Sequence, residues 1–306
     1  MKARLHEAGD PVAFEPLTVN RPLGACPVAN RPLRDAQQEE LRRAGCSLDP
    51  AQPGEPVLIL RDDAWCSAEA LAPLVDSGTG VLRDAQEGVA LAWIGPADAP
   101  SEPQPQARTH PEAFLLRHAW DLLRVNELLL GRIHDSCLEG ILSPSVVVDG
   151  RIVLGKGSVI LPGVYIEGTV LIGQNTRVGP NAYLRGPTAI GDECRIGQAV
   201  ELKNSILMAG TTVAHLSYCG DSILGERVNL GGGTITANLR HDQRLIRTEV
   251  AGRLINTGRR KCGAILGDGV HTGIHTSLYP GRKLWPGATT RPGEIVTHDL
   301  RPGDPT

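Results

Sequence analysis

The chain has 306 residues, 41% hydrophobic but only 3% aromatic, and a net charge of −3 from 31 basic and 34 acidic side chains. That balance gives no general field for nucleic acid or an anionic membrane surface, and no apolar run is long enough to span a bilayer as a helix. The start, MKARLHEAGD, lacks the apolar stretch of a secretory signal.

A core poor in aromatics must be filled by Val, Ile, Leu and Ala, and the 36 Gly and 23 Pro point to frequent turns. The seven cysteines, at 26, 46, 66, 137, 194, 219 and 262, are odd in number and form no CxxC, so they read as reduced thiols of a cytoplasmic protein. No ligand pair has structural zinc spacing. His271 and His275, four apart, would share a face only on a helix, so no metal is expected.

In chain order, residues 1–105 read as a small α/β domain. Arg34 to Ala44 is predicted helical and ended by Gly45, and Val57–Leu60 and Gly88–Trp93 are predicted strands. Residues 106–139 are expected to hold linker and helical cap: Pro96 to Pro111 is rich in Pro and Ala, and the apolar spacing from Glu112 to Leu130 suits one or two helices covering the open end of the next domain.

From 140 to 306 a repeat dominates. Steps of six from Leu142 give Val148, Leu154, Ile160, Ile166, Ile172, Val178, Leu184, Ile190, Ile196, Leu202, Met208 and Ala214, every one apolar. The fifth position of each hexad is small or β-branched, as at Ser158, Val164, Thr176, Ala182 and Cys194. Each hexad is a short strand plus a tight turn, with Gly or Asn expected where φ is positive. Three hexads make one coil, stacked in parallel on the next, so the fold class is mainly β, a parallel β-helix preceded by the α/β domain. Register is expected to shift after Ala214 and to resume at Leu224 and Leu230; the charged stretch over 238–263 reads as a projecting loop, and hexads return at Leu266, Thr272, Leu278 and Leu284.

Several stretches carry a resemblance. VELKNSIL (200–207), AHLSYCGD (214–221) and NLGGGTITAN (229–238) closely resemble the acetyltransferase half of the bifunctional N-acetylglucosamine-1-phosphate uridyltransferase/glucosamine-1-phosphate acetyltransferase family. TGRRKCGAILG (257–267) resembles the archaeal-type sugar-1-phosphate nucleotidylyltransferase/acetyltransferases. FEPLTVNRPLGACPVANRPL (14–33) is similar to the start of sugar nucleotidylyltransferases, but no Gly-rich phosphate loop precedes it, Leu23 stands where a basic residue is expected, and the domain is about half the usual length. Nucleotidylyl transfer is therefore not expected.

The resemblance implies a left-handed β-helix, a homotrimer with sites between neighbouring solenoids, acetyl-CoA as acyl donor, and an amino-sugar phosphate such as glucosamine-1-phosphate as acceptor. Acetyl transfer to an amine needs a base, oxyanion donors and cations for phosphate. His215 matches the family's base; its bland alternative is a surface corner histidine. Arg185 and Lys203 lie three hexads apart, one coil, and two stacked cations call for an anion between them, a sugar phosphate or simply solvent. Tyr218, Asn229 and Asn238 match sugar-contacting positions, and Lys261 a lysine near the acceptor. Arg259 and Arg260 meet coenzyme A phosphates or belong to a solvated loop. A family tyrosine is here Leu239, and a serine near the acetyl-CoA site is here Ile274. The alternatives are an acetyltransferase for a nucleotide-linked amino sugar and a non-catalytic scaffold subunit.

Overall fold

The computed structural model describes residues 1–98 and 107–304, so the middle of the Pro-rich stretch at 96–111 lies outside the described residues. The chain divides into two compact units: residues 1–11, 22–26 and 31–117 form one, and 12–21, 27–30 and the chain from 118 onward form the other. Among the described residues no helix is long and apolar enough to cross a membrane.

The first unit is a mixed five-stranded sheet with two helices. Lys2–His6 pairs in parallel with Pro56–Arg61, which pairs antiparallel with Ala90–Pro96, then Val81–Arg83 follows. Leu58, Leu60 and Leu91 on the sheet pack with Leu41 of α1 (Leu33–Arg43) and Leu71 and Leu74 of α2 (Ala68–Ser77). Local chemistry sets the helix ends: the Ser67 hydroxyl accepts the Ala70 N–H at 3.3 Å, and Gly78 closes α2 in the left-handed region at φ 65°.

The second unit is the expected parallel β-helix. Ile160, Ile166, Ile172, Val178, Leu184, Ile190, Ile196 and Leu202 are all buried in one continuous core. Coil follows coil in parallel register, as in Ile166 to Leu184 to Leu202. The small fifth positions have a second task besides fitting the corner. Ser158 Oγ donates to Gly173 O at 2.6 Å and accepts the Thr176 N–H at 2.8 Å. One coil on, Thr176 Oγ1 donates to Gly191 O at 2.8 Å and accepts the Cys194 N–H at 2.9 Å. Buried hydroxyls thus satisfy backbone groups that a purely apolar corner would leave unpaired.

Two expectations need correction. The register slips at Asn204–Ser205, before Met208 and Ala214. Tyr183 pairs with Glu201, three full hexads on, but Glu201 pairs with Tyr218, one position short of that spacing. Leu207 and Val213 therefore point inward, whereas Met208 and Ala214 do not join the inner core. Gly or Asn does stand at many of the positive-φ turn positions, such as Gly157, Gly163, Asn175 and Asn181, but the glycines directly after the inward residue have a different cause. Gly173 and Gly191, which follow the inward residue, stack on each other's backbone, and a Cβ on Gly173 would come within 2.7 Å of the Gly191 carbonyl carbon. The positive φ angles fall two residues later, at Asn175 and Glu193.

The charged stretch is an antiparallel hairpin, Arg247–Val250 with Arg253–Asn256, rather than a plain loop. α3 (Asp121–Gly131) lies against the coils, where Asn126 Nδ2 donates to Pro187 O at 3.4 Å. The segment 12–21 is bound to the solenoid by Arg21, 2.6 Å from Asp268 and 3.3 Å from Glu226.

Candidate functional site

One outer corner of the solenoid gathers most of the expected residues. Arg185 ends the strand Tyr183–Arg185, Lys203 ends Glu201–Lys203, and the two are register partners on adjacent coils. Alternation explains their outward direction: Leu184 and Leu202 point into the core, so the flanking residues point out, where both cations are half-buried.

The anions that partner these cations are the chain's own. Arg185 lies 3.4 Å from Glu167 and 3.2 Å from Glu201, and stacks over the Tyr183 ring at 5.3 Å. Lys203 Nζ is 3.3 Å from the buried carboxylate of Asp221. Glu167, Glu201 and Asp221 escape the sequence reading. The column spacing holds the signal, since Glu167 sits one coil before Arg185, in direct register.

Tyr218 and Asn238 complete the cluster. Asn238 Nδ2 donates to the Tyr218 hydroxyl at 3.0 Å and to Asp221 Oδ2 at 2.6 Å. Burial, then the Asp221 charge, pushes the Tyr218 phenol above its ordinary value, so it stays protonated and able to donate. Asn204 donates to Asp221 at 2.9 Å and to Glu127 of α3 at 2.9 Å, and Glu127 holds Arg259 at 2.6 Å. Arg259 is thereby tied to the same network. Arg260 donates to Gln243 at 3.0 Å and is exposed, as is Lys261.

His215 and Asn229 sit on a different face. His215 ends the strand Thr212–His215, whose neighbour on the next coil is Asn229–Leu230. The backbone of His215 is fixed: its carbonyl accepts from Ser217 Oγ at 2.7 Å and from the Gly233 N–H at 3.0 Å. Its side chain is exposed, and no described residue hydrogen-bonds the imidazole. In the run Gly231–Gly232–Gly233 beside it, Gly231 packs on the Gly273 backbone and Gly233 on the His275 ring, while Gly232 lies next to His215. Ile274, one residue earlier, is exposed. Among the described residues no group of three or more His, Cys, Asp or Glu is placed to hold a metal ion.

Fold and corner together define a hexapeptide-repeat β-helix protein with a cluster of charged and hydrogen-bonded side chains on one corner. Residues 166–279 match the family model described as the GMPPB C-terminal domain. The chain is 44% identical over 106 residues to a bifunctional sugar-1-phosphate nucleotidylyltransferase/acetyltransferase of Sulfurisphaera tokodaii, covering 35% of this chain and 26% of that protein. It is 41% identical over 174 residues to the bifunctional protein GlmU of Methanocaldococcus jannaschii, covering 56% and 42%. With GlmU of Methanococcus maripaludis the identity is 49% over 183 residues, covering 60% and 44%. The resemblance read from the motifs at 200–267 thus stands, although this chain spans under half the length of these relatives. Among solved structures, a UDP-N-acetylglucosamine acyltransferase aligns at 16% identity over 51% of this chain and 67% of that one, with a TM-score of 0.24. A likeness at that level bears no weight for function.

Proposed function

We propose that the chain is an acetyl-CoA-dependent N-acetyltransferase acting on an amino-sugar 1-phosphate, with glucosamine-1-phosphate as acceptor. The observation that carries this reading is the in-register pair Arg185 and Lys203, with Tyr218 and Asn238 hydrogen-bonded to each other on the same corner. The names of the similar proteins support it: a sugar-1-phosphate acetyltransferase and GlmU.

In this reading the acceptor phosphate takes over Arg185 and Lys203 from Glu201 and Asp221. Tyr218 and Asn238 orient the sugar, and Asn229 and Lys261 complete the acceptor side. Arg259 and Arg260 face the phosphates of coenzyme A. His215 takes a proton from the amino group, whose lone pair attacks the thioester carbonyl. The C–S bond then breaks, and the coenzyme A sulfur leaves with a proton returned from His215. The division of the constellation between two faces supports assembly from two copies, with the His215 face of one solenoid opposite the Arg185–Lys203 corner of another, as in a homotrimer. Nucleotidylyl transfer is not part of the proposal, because no Gly-rich phosphate loop precedes the N-terminal motif and Leu23 stands where a basic residue is expected.

The test is thiol release from acetyl-CoA with glucosamine-1-phosphate. His215→Ala should lose about 10²–10⁴-fold in rate while light scattering reports the same oligomer as wild type. No thiol release by wild type, or undiminished release by the variant, sinks the reading.

A further inference from the structure

A cavity of about 630 Å³ opens between the hairpin and the later coils. It does not include Arg185, Lys203 or Tyr218. It lies further along their solenoid corner, since Lys203 is in register with Gly220, and the neighbouring strand column runs on through Thr236 and Leu278. Its size falls in the range of sites for small molecules and cofactors.

The lining has two characters. Leu239, Leu254, Ile246 and the half-exposed ring of Tyr279 give apolar walls. Arg240, Arg247 and Arg282 give cationic ones. Two of those charges are balanced: Arg240 binds Asp242 at 2.7 Å, and Arg282 lies 3.5 Å from Asp299. Arg247 is different, because its guanidinium has no carboxylate partner among the described residues and touches only the Leu254 carbonyl at 3.5 Å. An exposed arginine over an apolar hollow with an aromatic rim selects for a ligand with both an anionic and a flat apolar part. A bare sugar phosphate offers the first and not the second.

We infer that this cavity binds the nucleoside diphosphate part of a larger ligand, its base against Tyr279 and Leu254 and its phosphates on Arg247. Two sources share this chemistry: the ADP end of a coenzyme A donor and the nucleotide of a sugar nucleotide acceptor. The binding is independent of acetyl transfer, so its failure and that of the reading above can be told apart.

The experiment is calorimetric titration of the full chain with ADP and, separately, UDP. Wild type should bind at least one. Arg247→Ala should weaken that binding about tenfold to a hundredfold, and Tyr279→Ala about tenfold, with unchanged melting midpoints because both side chains are exposed. ADP in preference to UDP assigns the cavity to the donor and moves the coenzyme A phosphates from Arg259 and Arg260 to Arg247; the reverse assigns it to a nucleotide-linked acceptor and leaves Arg259 and Arg260 with coenzyme A. Binding of neither nucleotide at millimolar concentration overturns the inference. So does binding that Lys203→Ala abolishes while Arg247→Ala leaves intact.

Discussion

Lys203 Nζ lies 3.3 Å from the Asp221 carboxylate, which is only 4% exposed and also receives Asn238 and Asn204. This carboxylate gives the cation its partner and at the same time competes with any phosphate. Asp221→Asn keeps the shape but removes the charge. It should cost stability, about 1–3 kcal/mol for an ammonium left short of its partner, and it should tighten phosphate-bearing acceptors. Denaturant unfolding and acceptor titration check the two effects separately. A variant of lower stability with no gain in acceptor affinity would mean that phosphate does not sit on Lys203.

The same geometry predicts a selective loss. Lys203→Met keeps the aliphatic stem and deletes the charge. The KM for glucosamine-1-phosphate should rise about tenfold or more, while the rate measured with unphosphorylated glucosamine at the same concentration should equal that of wild type. An equal loss on both acceptors would assign Lys203 to holding the corner together rather than to the phosphate.

The solenoid is legible in the sequence because its core residues repeat every six positions with little else to confuse them. Its register slip is not. Dropping one residue at the Asn204 turn moves the inward position from Met208 to Leu207 and from Ala214 to Val213, and both members of each pair are apolar. The spacing of Arg185 and Lys203 places them correctly because three unbroken hexads make one coil at that point. Their carboxylate partners stay hidden, because alternating charges on an outer strand look like any solvated face. The hairpin cavity is illegible for another reason: an insertion outside the repeat carries no periodicity from which its closure can be read.

The slip makes its own prediction. Leu207→Ala opens a cavity in the inner core and should cost about 2–5 kcal/mol. Ala214→Ser changes a half-buried site outside that core and should cost less than about 1 kcal/mol. Denaturant unfolding of both variants decides it. Had the hexads run unbroken through 214, Ala214→Ser would place a hydroxyl in the core and rank as the more damaging of the two.

Thiol chemistry gives an independent check of the packing. All seven cysteines are free; six are buried and only Cys137 is exposed. Burial pushes the Cys194 thiol up to about 11 and those of Cys219 and Cys262 up to about 12. A thiol with a raised pKa stays protonated below it, and the thiolate is the nucleophile, so these three are inert at pH 8 on charge as well as access. Iodoacetamide at pH 8 should therefore add one label to the native protein, at Cys137, and seven after unfolding in guanidinium. Labelling of Cys194 or Cys219 at the rate of Cys137 would show that the coils between them open in the native state, which would contradict a continuous core from Ile152 to Leu300.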